Sequence, residues 1–258
     1  MKQRRFQLIA SSIVLFAVVA ACSLSPAASA TAGSATGQPA GASGSGACTN
    51  AYFPDTSGTT WAYSSTGGSL GAYTYTRTIT DAIATGFSTS EQYSTGTNAT
   101  IKWNCQDGNL AALDDGSSSL SLSSSKFKFT STSVTADGYD IPNNFETGTS
   151  WSEKVTASGV VQYGTKSLDA QIVSDVACSA AGTDSITVTA GKFDTVKATC
   201  TDSITVSEIT LGTPVPATAP ITVNITNWYA KGVGLVQSVR VNSLGGGQTI
   251  VLTQYKVQ

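Results

Sequence analysis

The residues with most chemical potential in this chain are its five cysteines, Cys22, Cys48, Cys105, Cys178 and Cys200, because the sequence has no histidine. Without an imidazole, the Ser-His-Asp and Cys-His forms of nucleophilic catalysis are excluded. Zinc centres use histidine or closely spaced cysteine pairs, and no CxxC pair occurs here. The sequence therefore predicts a protein that is not an enzyme and that holds no metal and no cofactor.

Two acidic segments offer weaker alternatives. Asp114-Asp115-Gly116 could supply paired carboxylates for glycoside chemistry, but this pattern is more typical of a tight turn. Oxygen ligands for calcium occur at Asp137, Asp140, Asn143 and Asn144, without the ligand order or the closing glutamate of an EF-hand loop. We interpret both segments as polar loops. A hydrolase that works with serine and lysine stays an open alternative.

Cys22 has a different role, because it follows a typical export signal. Three basic residues among the first five precede an apolar run, Leu8–Ala21, that is too short to span a bilayer stably. The small residues Val-Ala-Ala stand directly before Cys22, as in a bacterial lipobox. We predict a lipoprotein signal peptide over residues 1–21 and acylation of Cys22, with palmitate among the acyl groups. Cleavage of an ordinary signal peptide after Ala30 is the alternative.

Residues 22–47 are rich in Ser, Ala and Gly and carry no charged or aromatic side chain. They predict a flexible, disordered tether with a reach of about 27 Å. Loss of the signal removes three basic residues and no acidic ones, which changes the formal net charge from −2 to −5. An acidic surface excludes nucleic acid as a partner, so the membrane contact must come from the N-terminal lipid. We expect an exported domain, anchored to the cell membrane or an outer membrane and facing away from the cytoplasm.

Residues 48–258 form the predicted globular domain, and they hold the four remaining cysteines. An even number of cysteines in an exported domain predicts disulfides. A predicted hairpin brings Cys178 and Cys200 together, which favours that pair and leaves Cys48 with Cys105. The sequence alone does not fix this connectivity.

Hydrophobic residues in this domain alternate with a period of two, which is typical of strands. The alternation is clearest over 73–80, over 126–129 and in a hairpin over 185–201. We predict an all-β domain, a single curled antiparallel sheet or half-barrel of ten or more strands. A short helical turn is possible at 118–125, and the proline-rich segment 213–220 predicts a protruding loop. Further strands are predicted over 59–65, 83–93, 98–105, 109–114, 149–156, 159–164, 170–177, 222–230, 232–241 and 248–257.

Three motifs together resemble a known group of bacterial lipoproteins. Tyr52-Phe53-Pro54 is followed by a G-x-x-W-x-Y pattern at 58–63, the hairpin at 186–194 resembles V-T-V-P-A-G-T-F, and 228–236 resembles W-Y-A-x-G-V-G-L-V. The chain is thus similar to TapB-like domains of unknown function, whose shape resembles the LolA/LolB half-barrel. Thr189 departs from the family's usual proline. The resemblance implies a curved sheet and a lipid-anchored, exported location, and it carries over no catalytic residue.

These observations predict a non-catalytic envelope lipoprotein that acts as a binding or scaffold module. Its curled sheet could hold an apolar ligand on a concave face lined by Tyr73, Tyr75, Phe127 and Phe129. An apolar small molecule or another envelope protein is the expected partner. A structural or adhesive surface protein is the alternative.

Overall fold

A computed structural model describes residues 48–68, 71–113, 127–163, 166–210, 213–216 and 219–258. Contacts divide the chain into Met1–Ser34 and Ala35–Gln258, and the second unit holds every described residue. The signal peptide, the tether, Asp114-Asp115 and the helical turn predicted at 118–125 lie outside the described residues. Within the described ranges the regular structure consists of strands, and no helix occurs.

The described residues form thirteen strands. Their bounds are β1 Thr60–Gly67, β2 Tyr73–Ile83, β3 Gly86–Tyr93, β4 Asn98–Gln106, β5 Asn109–Leu113, β6 Phe127–Gly138, β7 Ser150–Tyr163, β8 Lys166–Val188, β9 Gly191–Thr210, β10 Thr213–Pro216, β11 Ile221–Ala230, β12 Gly234–Asn242 and β13 Gly247–Lys256. All belong to one antiparallel sheet with the order β5-β4-β3-β2-β1-β13-β12-β11-β9-β8-β7-β6, while β10 pairs with β9.

The sheet curls until its two edge regions meet. Leu110 on β5 forms a bridge with Ile141, which follows β6, and the Leu110 amide donates to the Ile141 carbonyl at 2.9 Å. The Asp140 amide donates back to the Leu110 carbonyl at 2.8 Å. We call this contact the seam. The sheet is thus nearly closed and barrel-like, which removes most of the exposed edge that an open sheet of this size would leave. The predicted fold class is confirmed.

Two long strands replace pairs of shorter predicted ones. The predicted strands 149–156 and 159–164 form the single strand β7. Gly159 lies within it and lets β6 approach closely. A Cβ at Gly159 would lie 2.2 Å from the Thr130 carbonyl oxygen. The predicted strand 170–177 and the first strand of the hairpin predicted over 185–201 together form β8. This strand continues through a register shift between Ala180 and Gly182.

The proline-rich segment differs from its prediction. Residues 213–220 were predicted to protrude as a loop, but Thr213–Pro216 is a short strand that pairs back on Ser207–Thr210 of β9. Proline is tolerated there because β10 pairs with β9 alone and lies off the main path of the sheet.

Buried apolar residues form two clusters on the inner face of the sheet. The larger cluster is rich in aromatic side chains. The smaller one lies near the first residues of β6 and β8 and in the second halves of β7 and β9. Members of the larger cluster include Phe53, Trp61, Tyr63, Tyr75, Phe87, Trp103, Phe145, Trp151, Cys178, Cys200 and Tyr229. The smaller cluster consists of Phe129, Ala157, Val161, Ala170, Ile172 and Ile204.

Candidate functional site

A layer of polar side chains separates the two apolar clusters. On β7, β8 and β9, one inward-facing polar residue lies between a member of the larger cluster and a member of the smaller one: Glu153, Ser174 and Asp202. Glu153 and Asp202 are each only 5% exposed. Carboxyl groups are rarely this buried unless they are paired or functional. The layer therefore needs an explanation other than packing.

The polar layer borders a cavity of about 170 Å³. Its wall combines apolar surface, mainly from the larger cluster, with polar side chains from β2, β7, β8, β9, β11 and β12. The polar and ionisable residues in the wall are Arg77, Asp140, Glu153, Ser174, Asp202, Asn227, Tyr229 and Arg240. The wall therefore offers charged and hydrogen-bonding groups beside apolar surface.

One of the two arginines in the wall is fully compensated. Arg77 pairs with Glu91, with a distance of 2.5 Å between Arg77 Nη2 and Glu91 Oε1, and Arg77 Nε also donates to Oε1 at 2.7 Å. Tyr93 donates its hydroxyl proton to the other oxygen of Glu91. Burial alone would raise the pKa of Glu91, but the Arg77 charge and these hydrogen bonds outweigh it, so the pKa is lowered. Glu91 is therefore held as a carboxylate.

Arg240, the second arginine, lacks such a partner among the described residues. Its Nε is buried without a hydrogen bond, as are Asn227 Oδ1 and Ser238 Oγ. Asn227 lies directly opposite Ser238 across the β11–β12 ladder, and Arg240 follows Ser238 on the same face. Each unsatisfied buried group costs about 1–3 kcal/mol. We call these three residues the Arg240 patch.

Asp202 differs from Glu91 in its electrostatic environment. Burial raises the pKa of Asp202, while a hydrogen bond from Ser174 and the charge of Arg240 act in the opposite direction. Ser174 Oγ donates to Asp202 Oδ1 at 2.8 Å. Glu153 accepts a hydrogen bond from the Ala112 amide at 3.1 Å. The cavity thus presents carboxyl groups and the Arg240 patch in one wall, where the Arg240 charge also acts on Asp202.

Residues 48–53, which we call the N-terminal clasp, cross the seam beside this cavity. Asn50 Nδ2 donates to the carbonyls of Gly108 at 2.8 Å and Pro142 at 3.1 Å, and so ties the β4–β5 turn to the segment after β6. Phe53 packs on Trp103, with ring centroids 4.9 Å apart, and lines the cavity. The clasp therefore holds the edge regions together and forms part of the cavity wall.

The four aromatic residues predicted to line a ligand site do not form one surface. Tyr73 and Tyr75 stack with Tyr93 in the larger cluster, whereas Phe129 belongs to the smaller cluster. The side chain of Phe127 lies outside the described residues. Of the three whose side chains are described, Tyr73, Tyr75 and Phe129, none is in the cavity wall described above.

The predicted cysteine pairs are both brought together. Cys178 and Cys200 face each other in the β8–β9 ladder and form a disulfide. Cys48 lies beside Cys105, and the two thiols share a hydrogen bond. Burial raises the pKa of the Cys48 thiol to about 12, and contact with Cys105 adds to the shift. Oxidation of this second pair to a disulfide stays a prediction.

Other sequence hypotheses concern metals and membranes. Among the described residues, no cluster of three or more potential metal ligands occurs, and this holds for the Asp137–Asp140 region. No helix in the described part of the chain has the length and apolar character needed to cross a bilayer. Cys22, the predicted lipidation site, lies outside the described residues.

A model of the DUF3108-like family matches residues 73–248, from β2 into β13. The chain belongs to the DUF3108-like family. Its fold is also similar to that of a candidate exported protein with a YmcC-like fold from Bacteroides fragilis, with a TM-score of 0.51, 15% identity, and coverage of 80% of this chain and 99% of the other.

A candidate lipoprotein from Parabacteroides distasonis gives a TM-score of 0.49 at 20% identity, with the same coverage of both chains. No curated protein matches the sequence significantly. This DUF3108-like chain thus shares the YmcC-like fold. The finer resemblance to TapB-like and LolA/LolB domains stays a prediction.

The polar layer of this DUF3108-like chain was missed by the sequence prediction, although a signal for it exists. In Val196-Lys197-Ala198-Thr199-Cys200-Thr201-Asp202-Ser203-Ile204, every second residue faces inward, and Asp202 occupies one of those positions. Arg77 stands in the same way between the inward-facing Tyr75 and Ile79. A charged residue in an inward register, repeated on several strands, indicates a polar interior.

Proposed function

We propose that this DUF3108-like protein is an exported, non-catalytic lipoprotein whose curled sheet binds a small molecule in its interior cavity. The observation that supports the proposal is the cavity itself: about 170 Å³ in volume, lined by apolar and ionisable side chains, and placed where a polar layer interrupts the core. A sheet that served only as a scaffold would be more stable with apolar residues at these inward positions.

The cavity wall changes the ligand that the sequence predicted. An apolar ligand would leave Arg240 Nε and Asn227 Oδ1 desolvated without a hydrogen bond, whereas a ligand with both apolar and polar groups could supply those partners. The cavity is also smaller than the 300 Å³ or so at which drug-sized sites begin. We therefore propose a small, partly polar molecule rather than the acyl chain that a LolA/LolB-type carrier would hold.

Export and anchoring form the second part of the proposal. The signal at 1–21, Cys22 and the tether at 22–47 would place the binding domain outside the cytoplasm on a lipid anchor. The description of the Bacteroides fragilis protein as a candidate exported protein agrees with this location. Binding is favoured over catalysis because the chain has no histidine to activate a nucleophile. The neighbouring thiols of Cys48 and Cys105 also lie outside the cavity wall, so they are not placed to react with a ligand there.

The binding proposal is tested by ligand retention. The full chain is purified from membranes and denatured, and the released small molecules are identified by mass spectrometry. Ala112 lies in the cavity wall, whereas its neighbour Ala111 faces an outer groove on the opposite side of β5. We expect Ala112→Phe to abolish the released compound and Ala111→Phe to keep it. Release of no compound by the unmodified protein would contradict the proposal and favour a scaffold or adhesive role.

Anchoring is tested separately by growth with labelled palmitate. We expect label in the full chain, no label in Cys22→Ser, and release of the variant into the soluble extracytoplasmic fraction. Equal membrane association of both proteins would contradict the lipid anchor, without bearing on the cavity.

A further inference from the structure

The unsatisfied polar atoms of the described residues are concentrated at one place. Asn227 Oδ1, Ser238 Oγ and Arg240 Nε are the buried side-chain atoms without a hydrogen-bond partner, and all three belong to the facing strands β11 and β12. Asn227 and Arg240 also line the cavity. Orphaned polar atoms scattered over a protein would indicate imperfect packing. Their concentration beside a cavity indicates a place that a ligand completes.

Within the patch, the guanidinium of Arg240 has the chemistry of an anion site. A guanidinium has five N–H donors, no acceptor, and a charge that persists at all physiological pH values. Arg77, in the same wall, already has the carboxylate of Glu91, but no such pair is formed by Arg240 within the described ranges. Ser238, two residues before Arg240, is fully buried opposite Asn227 and does not line the cavity.

We propose that the Arg240 patch binds the carboxylate of a small organic acid, with Arg240 as the charge partner. The inference rests on the proposed function and names the class of ligand. Planar carboxylates match the fork of an arginine, with two parallel N–H···O bonds. Glu153 and Asp202 line the same cavity and would repel a doubly charged phosphate more strongly than a carboxylate.

The remaining wall defines the body of the acid. Ile101, Trp103, Ile225 and Leu235 give the cavity an apolar side. Its volume of about 170 Å³ is close to that of an engineered apolar cavity of about 150 Å³ that takes one benzene molecule. The ligand should therefore be a monocarboxylate with one ring or a short branched chain. Long fatty acids are too large.

The test uses three probes of one shape and different charge. Benzoate, benzamide and benzylamine are titrated by calorimetry into the full chain after removal of any co-purified compound. We expect benzoate to bind more tightly than either of the others, because only benzoate pairs with Arg240. Tighter or equal binding of benzamide or benzylamine would overturn the inference, and so would the absence of benzoate binding at millimolar concentration.

Variants assign the effect to the patch. Arg240→Gln should weaken benzoate binding about tenfold or more. Lys197→Gln is the matched control, since Lys197 lies over the ring of Trp228 and does not line the cavity. Circular dichroism and thermal melting verify that each variant is folded. Unchanged affinity in a folded Arg240→Gln would overturn the inference.

The two proposals fail in different ways. A retained compound that lacks a carboxylate, and that Ala112→Phe excludes, would overturn the carboxylate inference and leave the proposed binding function intact. Absence of any retained compound, together with no binding of the three probes, would overturn both.

Discussion

The N-terminal clasp makes a quantitative prediction about how the sheet is held closed. Asn50 is 5% exposed, and its amide makes three hydrogen bonds: Nδ2 to the Gly108 carbonyl at 2.8 Å, Nδ2 to the Pro142 carbonyl at 3.1 Å, and Oδ1 from the Tyr52 amide at 2.8 Å. Asn50→Ala removes all three and leaves two carbonyls and an amide without their partner. At roughly 1 kcal/mol for each bond, the free energy of unfolding should fall by about 2–4 kcal/mol.

Urea denaturation of the full chain, followed by tryptophan fluorescence, measures this change. Asn224→Ala is the matched control, because Asn224 is exposed and accepts a single long hydrogen bond from Thr201 at 3.4 Å. Its effect should be below about 0.5 kcal/mol. Asn50→Asp keeps an acceptor for Tyr52 but turns a carboxylate oxygen toward the Gly108 and Pro142 carbonyls, so it should destabilise at least as much as Asn50→Ala.

Hydrogen exchange locates the effect of Asn50→Ala. The Leu110 and Ile141 amides donate across the seam, so their exchange should accelerate more than that of amides within β8 and β9. An unfolding free energy in Asn50→Ala equal to that of the control, or unchanged exchange at the seam, would refute the role of the clasp in closure.

Three further predictions concern the interior. Glu91→Gln leaves Arg77 without its charge partner and should lower the free energy of unfolding by about 3–5 kcal/mol in urea. Because the pKa of Glu91 is lowered in the fold, the stability difference between the two proteins should be largest above pH 4.5 and should disappear as the pH falls through the lowered pKa. Asp202 behaves oppositely, because burial raises its pKa and makes its charged form unfavourable in the fold. Asp202→Asn should therefore increase stability at pH 7 and have no such effect below pH 3.8, which thermal melts at a series of pH values would measure. Replacing both Cys178 and Cys200 by alanine removes the disulfide that closes a loop of 22 residues, and it should lower the free energy of unfolding in urea by about 3 kcal/mol. An unchanged urea midpoint would contradict a stabilising disulfide.

The fold of this DUF3108-like chain could largely be predicted from its sequence because strand periodicity is a local property. Tyr75, Arg77 and Ile79 alternate with threonines, and the structure places these three residues on the inner face of β2. The Cys178–Cys200 pair followed from one hairpin. Closure of the sheet did not follow, since it depends on contacts such as that between Asn50 and Pro142, 92 residues apart.

The candidate site was hidden for a related reason. Glu153, Ser174 and Asp202 belong to three strands, and each alone resembles an ordinary polar residue of an exposed sheet. Only the register of β7, β8 and β9 shows that they share an inner face between two apolar clusters. The sequence prediction instead named Tyr73, Tyr75, Phe127 and Phe129, and aromatic character alone does not distinguish a packed core from a ligand site.

The central claim is that the Arg240 patch exists for binding, whereas Arg77 exists for the fold. The most direct measurement compares Arg240→Met and Arg77→Met by urea denaturation, with both proteins refolded to remove any ligand. Arg77→Met should lose about 3–5 kcal/mol, because Glu91 is left buried without its partner. Arg240→Met removes a buried Nε that has no partner, but also the charge that acts favourably on Asp202, so its free energy of unfolding should change by less than about 1 kcal/mol in either direction. A loss in Arg240→Met as large as that in Arg77→Met would contradict the account and make Arg240 a structural residue.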